Sequence, residues 1–271
     1  MKATENKGWR IREAILEEQG RTIMNNYKNN LYMVEDNAHL ISMVPVEELV
    51  RFGYEIGLNE NCKVLDLCCG YGTLLKVWSE TFGITGVGVD TCQEFLSLGR
   101  ERLVKYGIEK VTLHCDDVML YQDSEKYDVV ICSETIDSIP ETLRLGSKFL
   151  KPNGLLAYQK LFSKIEIPPK ELVSFDVEVL PLSKLNHIFN ENGYQITSMA
   201  SDTNGMWERY VLNWNGKRDL LSLKQDIHNE DLKNWIKQWY DMYFEYRRQY
   251  EGQAMFGLQR IIPKTKSKSQ I

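Results

Sequence analysis

Three aspartates in the first half of the chain lie at or just after the ends of apolar segments that have the character of strands. They are Asp66, Asp90 and Asp117. A carboxylate accepts hydrogen bonds and attracts cations, so each acid suits a different group of one ligand. Asp66 suits an ammonium group, bound directly or through water. Asp90 suits the two hydroxyls of a ribose, and Asp117 suits the amino group of an adenine. The three acids together predict a site for a ligand that carries all three groups.

A short glycine turn lies between the first two acids. Gly70 and Gly72 flank Tyr71, and a helical pattern begins at Thr73. Glycine lets the backbone approach a ligand closely, and the N-terminus of a helix offers free amides. A dinucleotide site has a third glycine, but Leu75 occupies that position. This argues against a nicotinamide-dependent oxidoreductase. S-adenosylmethionine, whose sulfonium is positive, fits the acids better.

The composition narrows the class of protein. The chain has 271 residues and a formal net charge of −5, whereas a nucleic-acid binder usually has a basic face. No apolar stretch approaches the roughly 18 residues of a membrane span, and the start of the chain lacks a signal-peptide pattern, so we expect a cytoplasmic protein with no membrane partner. The six cysteines form no Cys-x-x-Cys pair, so no metal site is predicted. Nothing in the composition indicates an oligomeric state.

Strand-like and helix-like patterns alternate from residue 63 onwards. The predicted strands are Lys63–Leu67, Gly86–Val89, Val111–His114, Val129–Ser133, Leu155–Gln159, Tyr194–Ala200 and Ala254–Ile262. The predicted helices between them are Thr73–Phe82, Cys92–Tyr106, Pro140–Leu150 and Ser183–Glu191, and the proline-containing residues 161–182 are predicted to be a connector. This alternation predicts an α/β fold whose sheet is mostly parallel, with helices on both faces. Such sheets bind ligands at the carboxyl ends of their strands.

Five segments also resemble known motifs, in the right order and at suitable spacing. They are Val64–Gly72, Gly86–Asp90, Asp116–Val118, Tyr127–Cys132 and Leu150–Leu156. All five are similar to motifs of the class I S-adenosylmethionine-dependent methyltransferases that act on small molecules. One departure is Cys68, where that family normally has glycine or alanine. The resemblance implies a Rossmann-like, seven-stranded sheet with an antiparallel last strand, and S-adenosylmethionine as the cofactor.

The resemblance also implies where the cofactor lies. Around its methionine part we expect Asp66, Leu67, Cys68, Cys69, Gly70, Gly72 and, near the methionine carbons, Ser133; at the ribose, Asp90; at the adenine, Thr91, Cys92, Asp117 and Val118. Tyr32 is expected to close over the carboxylate of the cofactor. Glu134 and Asp137, after the fourth strand, are the candidate catalytic residues, since either can accept a proton or attract a cationic amine. For Asp137, helix capping is the alternative.

Two regions flank the sheet. Residues 1–44 are predicted to be an N-terminal helical lid, and residues 45–271 the methyltransferase domain, with a helical cap inserted at about 203–251. The cap carries side chains at helical spacing, namely Leu232, Trp235, Trp239, Tyr243, Tyr246 and Tyr250. Such a stripe either packs on the domain, as aromatic stripes usually do, or covers a small-molecule pocket.

The lead hypothesis is methyl transfer to nitrogen, oxygen or sulfur of a small metabolite by in-line displacement. The Asn-Pro-Pro-Tyr type of motif found in nucleobase and glutamine methyltransferases is absent, and Ser133 and Glu134 stand in that region instead. Two alternatives remain. One is a sensor that binds S-adenosylmethionine without turnover, and the other is a thiol or metalloid methyltransferase, which the cysteines suggest.

Overall fold

The computed structural model describes residues 40–133, 136, 138–171, 179–225 and 228–261. Most of the predicted helical lid over residues 1–44, including Tyr32, lies outside these ranges. The candidate catalytic residues Glu134 and Asp137 also lie outside them.

One sheet of seven strands organises the described chain. The strands are β1 Lys63–Leu67, β2 Thr85–Asp90, β3 Val111–Cys115, β4 Tyr127–Ser133, β5 Leu150–Ser163, β6 Tyr194–Ser201 and β7 Glu251–Arg260. Their order is β3-β2-β1-β4-β5-β7-β6. Strands β1 to β5 pair in parallel, and β7 runs antiparallel to both β5 and β6. The predicted Rossmann-like sheet with an antiparallel last strand is confirmed.

Helices connect these strands on both faces of the sheet. They are α1 Val46–Glu55, α2 Thr73–Phe82, α3 Gln93–Lys105, α4 Ile139–Ser147, α5 Leu182–Glu191, α6 Asn204–Glu208, α7 Gly216–Gln225, α8 Glu230–Met242 and α9 Arg248–Tyr250. Two π-helical turns, Arg209–Asn215 and Tyr243–Arg247, lie within the segment between β6 and β7. That segment starts and ends at the carboxyl edge of the parallel strands, because β7 runs opposite to β5.

Two layers of side chains form the core. On one face, α1, α2 and α3 pack through residues such as Leu49, Trp78 and Leu96. On the other face, α4 and α5 pack through Leu143 and Phe189. Trp78 is fully buried, and its indole nitrogen donates a hydrogen bond to the carbonyl of Leu49 at 3.0 Å. Burial of one large side chain contributes about 1.5–3 kcal/mol, so these layers hold the strand ends in a fixed arrangement.

Strand β5 differs most from its prediction, which covered Leu155–Gln159. It continues to Ser163, so the predicted connector over residues 161–182 is wrong at its first three positions. The extension pairs with the start of β7, where Phe162 lies opposite Gly252. The predicted helix over Pro140–Leu150 ends at Ser147, and Leu150 already begins β5. Pro152 favours extended backbone in the residue before it, which explains the earlier start of the strand.

Helix α3 approaches the glycine turn closely through Gly99. A Cβ atom at this position would clash with the carbonyl oxygen of Tyr71 and would lie 2.8 Å from Cδ1 of Leu113. The backbone oxygen cannot move without moving the turn. Gly99 therefore sets how near α3 can lie to the loop that follows β1.

We predict that Gly99→Ala lowers the free energy of unfolding by about 1–3 kcal/mol, since overpacking against backbone outweighs the better helix propensity of alanine. Urea denaturation measures the change. The matched control is Gly205→Ala in α6, where the nearest atom to an added Cβ is Oγ1 of Thr203 at 4.0 Å. A loss at Gly99 no larger than that at Gly205 would contradict the close approach.

Candidate functional site

A cavity of about 210 Å³ opens at the carboxyl ends of β1, β2 and β4. Strand order reverses at β1, because β2 lies on one side of it and β4 on the other. Ligands of open α/β sheets bind at such a reversal. The described lining residues are Leu40, Ile41, Asp66, Cys68, Cys69, Gly70, Thr73, Leu74, Asp90, Ile131, Cys132, Ser133 and Gln159. Two of them are carboxylic acids, and none of these described lining residues is basic.

The cavity brings together six of the predicted cofactor contacts, which are Asp66, Cys68, Cys69, Gly70, Asp90 and Ser133. Six others lie outside its lining, namely Leu67, Gly72, Thr91, Cys92, Asp117 and Val118. Leu67 and Val118 are buried in the core layer beneath α4 and α5. The side chain of Asp117 is exposed and accepts a hydrogen bond from the amide of Met119 at 2.8 Å.

The lining also includes residues that the sequence did not single out. They are Leu40, Ile41, Thr73, Leu74, Ile131, Cys132 and Gln159. Thr73 could have been found, because the first position of a helix after a glycine turn faces the ligand in such folds. Ile41 and Gln159 carry no local signal. They meet through tertiary packing, with the amide nitrogen of Gln159 donating to the carbonyl of Ile41 at 3.4 Å.

The carboxylate of Asp90 holds the turn and the start of α3 together. One oxygen accepts the amide of Gly70 at 2.7 Å, and the other accepts the amide of Cys92 at 2.9 Å. Each carboxylate oxygen has two lone pairs, so both can still accept a hydroxyl group. Asp90 is thus oriented by the backbone and keeps acceptor capacity toward the cavity.

Cys68 has an unusual backbone conformation. Its φ is 68°, and it is the one non-glycine residue with positive φ in the part of the chain that the structure describes. The amides of Cys68 and Cys69 both donate to the carbonyl of Val89, at 2.8 and 3.1 Å, which fixes the turn against β2. A left-handed conformation costs a side chain with a Cβ roughly 1–2 kcal/mol. This is the position at which the resembling family has glycine or alanine, so the departure from the motif falls on a residue with a left-handed backbone.

Asp66 is a buried acid, with 6% of its surface exposed. Burial, and secondly the charge of Asp90, raise the pKa of Asp66 to about 8. Its carboxyl group is therefore mostly protonated at neutral pH in the ligand-free protein. A cation placed beside it would favour the ionised form and lower its pKa.

Two of the three cysteines that line the cavity, Cys69 and Cys132, are weak nucleophiles. Burial raises the pKa of the Cys69 thiol and of the Cys132 thiol, and the charge of Asp66 adds to both shifts. Both therefore remain thiols at neutral pH, whereas the thiolate is the reactive and metal-binding form. Within the described ranges, no group of three or more His, Cys, Asp or Glu residues is arranged to hold a metal ion.

The helical segment between β6 and β7 packs against Met43, before α1, and Leu161 of β5 through an apolar group that we call the aromatic cluster. Its buried members are Met43, Leu161, Trp207, Val211 and Tyr243, with Tyr210 and Trp239 packed against them. Trp239 stacks on Tyr243 with 6.2 Å between ring centroids. Trp235, four residues earlier, is 48% exposed. Trp239 and Tyr243 therefore serve packing, while the π-helical turn that begins at Tyr243 interrupts the regular helical spacing of the stripe.

Part of the chain matches a family of known proteins. Residues 64–154 match the family described as Methyltransferase domain, a range that contains four of the five motifs and most of the fifth. The chain is 26% identical to the protein YjhP of Escherichia coli K12 over 207 residues, which cover 72% of this chain and 84% of YjhP. It is 29% identical to demethylmenaquinone methyltransferase of Staphylococcus aureus MRSA252 over 108 residues, which cover 38% of this chain and 44% of that enzyme.

A solved structure shares the fold. It is a SAM-dependent methyltransferase from Geobacter sulfurreducens in complex with S-adenosyl-L-homocysteine, with a TM-score of 0.72 and 23% identity. The alignment covers 84% of this chain and 96% of that chain. The resemblance drawn from the five motifs is confirmed. None of the described helices is long and apolar enough to cross a membrane.

We predict that Cys68→Gly is more stable to urea than Cys68→Ala by about 1 kcal/mol, because both lose the thiol and only alanine retains the cost of the left-handed backbone. The same pair at Glu101, an exposed position within α3, provides the control and should show the opposite order. Equal stability of the two Cys68 variants would mean that the turn relaxes without cost.

We also predict that Asp66 makes stability depend on pH. Its pKa is near 8 in the folded protein and near 3.8 when unfolded, so the folded state holds a proton that the unfolded state has released. Its contribution is complete below the unfolded pKa and is lost as the pH rises through the folded value. As the pH rises from about 4 to about 8, the free energy of unfolding measured with urea should therefore fall more steeply for the wild type than for Asp66→Asn. Asp231→Asn, at an exposed site, should follow the wild type, and parallel curves for all three proteins would contradict the raised pKa.

Proposed function

We propose that this chain, a class I methyltransferase by its domain and its fold, uses S-adenosylmethionine to methylate a nitrogen, oxygen or sulfur atom of a small molecule. The observation that carries the cofactor assignment is the acidic cavity at the strand reversal. Asp66 and Asp90 line it, and no basic side chain is among its described lining residues. A pyrophosphate would be repelled there, whereas a ligand with an ammonium, a sulfonium and a ribose is attracted.

Different residues of the site contact different parts of the cofactor. In this proposal Asp66 holds the ammonium, and Asp90, already oriented by two amides, accepts the ribose hydroxyls. Cys68, Cys69 and Gly70 surround the methionine part. Leu67 and Gly72 support this turn from outside the cavity. Because a cation lowers the pKa of Asp66, binding near neutral pH releases a proton.

The adenine lies over the edge formed by the ends of β2 and β3. Thr91 and Cys92 follow β2, and Asp117 and Val118 follow β3. We assign Asp117 to the adenine amino group and Val118 to the wall behind the ring. Ser133, which lines the cavity at the end of β4, lies near the methionine carbons. Tyr32 remains a proposed contact of the cofactor's carboxylate.

The cofactor supplies an activated methyl group, which an acceptor atom attacks in line with the carbon–sulfur bond. The protein aligns the acceptor, excludes water and removes a proton where the acceptor carries one. We assign proton removal, or attraction of a cationic amine, to Glu134 and Asp137, which follow Ser133 in the sequence.

The acceptor is proposed to be small. The chain lacks the Asn-Pro-Pro-Tyr type of motif and carries a net charge of −5, neither of which suits a nucleic acid. Two cysteines of the cavity do not support a metalloid acceptor, because burial raises the pKa of Cys69 and of Cys132 and keeps both as thiols, whereas a soft metal or metalloid is held by thiolates. A sensor without turnover is the remaining alternative.

Two measurements test the proposal. Isothermal calorimetry should show binding of S-adenosylmethionine and S-adenosylhomocysteine but not of NAD, with proton release detected by comparing buffers of different ionisation enthalpy. An assay for S-adenosylhomocysteine should then show turnover with one of several pools of amines, phenols, carboxylates, thiols or quinones. Tight NAD binding would refute the cofactor assignment. Binding without turnover in every pool would favour the sensor.

Asp90→Ala should weaken S-adenosylhomocysteine binding by about 1–3 kcal/mol, the scale for losing hydrogen bonds to a charged group. The variant loses the ribose acceptor and also the acceptor for the Gly70 amide. Calorimetry measures the change, and Asp231→Ala on the exposed surface of α8 controls for loss of one negative charge. An affinity equal to that of the control would show that the ribose is not held at Asp90.

A further inference from the structure

A short segment before α1 forms one wall of the cavity. We call residues 40–44 the strap. Leu40 and Ile41 line the cavity, and Cδ1 of Ile41 lies 2.9 Å from the point where a Cβ on Gly70 would stand. Ser42, Met43 and Val44, by contrast, are buried. The strap therefore has one half over the glycine turn and one half anchored in the protein.

The anchor is the side chain of Gln253 on β7. Its carbonyl oxygen accepts the hydroxyl of Ser42 at 3.1 Å and the amide of Met43 at 2.8 Å. The hydroxyl oxygen of Ser42 in turn accepts the amide of Val44 at 3.0 Å. Gln253 is 4% exposed, so water does not replace these bonds in the closed arrangement. A single oxygen atom thus satisfies two buried donors of the strap.

Gln253 is itself held rigidly. The backbone amide of Gln253 donates to the carboxylate of Asp202 at 3.1 Å, and the backbone carbonyl of Gln253 accepts the backbone amide of Asp202 at 2.9 Å. The same carboxylate oxygen accepts the indole N–H of Trp207, which belongs to the aromatic cluster. Met43 packs into that cluster, next to its hydrogen bond to Gln253. The strap is therefore fastened to this part of the molecule by two hydrogen bonds to Gln253 and by the apolar packing of Met43. The side chain of Gln159 adds a longer bond to the carbonyl of Ile41 at 3.4 Å.

We propose that Gln253 is a positioning residue that keeps the strap closed over the cofactor, although Gln253 does not line the cavity. This inference rests on the proposed function. The fraction of molecules with a closed strap then scales the apparent affinity for the cofactor and slows its release. The closed strap also keeps water from the methionine end of the site, where the methyl group is transferred.

The physical basis is the difference between an open and a closed strap. When the strap opens, water can hydrogen-bond to the hydroxyl of Ser42 and the amide of Met43. Without the Gln253 oxygen, closing would bury both donors without an acceptor, and leaving buried polar groups unsatisfied is costly. Removing this one acceptor shifts the equilibrium toward the open strap without altering any residue that lines the cavity.

The test compares Gln253→Met, which keeps the length of the side chain and lacks the oxygen, with Gln253→Glu, which retains an acceptor oxygen in either protonation state. Gln259→Met makes the same change at an exposed position near the other end of β7 and serves as the control. Thermal unfolding verifies that each variant folds. Calorimetry and stopped-flow displacement with S-adenosylhomocysteine give affinity and release rate, and hydrogen exchange of the amides at 41–44 follows the strap in the presence and absence of ligand.

In Gln253→Met we expect binding weaker by about tenfold or more, with faster release and faster exchange at the strap. Gln253→Glu should recover most of the affinity, and Gln259→Met should match the wild type. If Gln253→Met folds and its affinity and release rate equal those of Gln259→Met, the proposed role of Gln253 is wrong, while the proposed cofactor is unaffected. A wild type that binds neither S-adenosylmethionine nor S-adenosylhomocysteine would instead overturn the proposed cofactor. If an acceptor is identified, the KM for the cofactor should rise while kcat at saturation stays unchanged.

Discussion

The contact between the Asp90 carboxylate and two backbone amides is the constraint on which the site depends. It joins the turn after β1, through Gly70, to the start of α3, through Cys92. The turn is also held against β2 by the amides of Cys68 and Cys69, which donate to the carbonyl of Val89, but the Asp90 carboxylate is the group that ties the turn to α3 by hydrogen bonds. The amides orient the carboxylate, and the carboxylate holds the amides, so the ligand-facing edge is organised before any ligand arrives. Such preorganisation reduces the ordering cost of binding.

Asp90 also makes ionisation of the neighbouring Asp66 unfavourable in the empty site. Burial, and secondly the charge of Asp90, raises the pKa of Asp66 and keeps its carboxyl group mostly protonated at neutral pH. A protein built for stability alone would not bury a second acid there. The arrangement is unfavourable for the empty site and favourable once a positive group enters, since the cation then interacts with both acids. The cost in the unliganded state is thus a source of selectivity for cations.

The sequence predicted those strands, helices and turns whose form is decided by neighbouring residues in the chain. The apolar run of β1, the periodicity of α2 and the glycine turn between them all lie where the sequence placed them. The acids Asp66 and Asp90 were found for the same reason, because they end strands whose edges must meet. The predicted N-terminal lid, Tyr32 and the pair Glu134 and Asp137 remain predictions.

The remaining features depend on contacts between distant parts of the chain. The end of β5 is extended because Leu161 and Ser163 pair with β7, about ninety positions further along the chain. Gln253 is an ordinary glutamine in sequence, and its importance comes only from the two strap donors that meet it. Cys68 was recognised as a departure from the family's motif, but its left-handed backbone could be seen only in the structure.

The placement of β7 between β5 and β6 has a consequence for the order of synthesis. Strand β6 ends at Ser201 and pairs, among the described strands, with β7, which begins only at Glu251. On the ribosome, β6 therefore leaves the exit tunnel without a strand to pair with. It can pair only after the intervening helices and β7 have been made. Strands β1 to β5 are synthesised before it. The strands that line the cavity are therefore made first, whereas Gln253, the proposed anchor of the strap, is added only with β7.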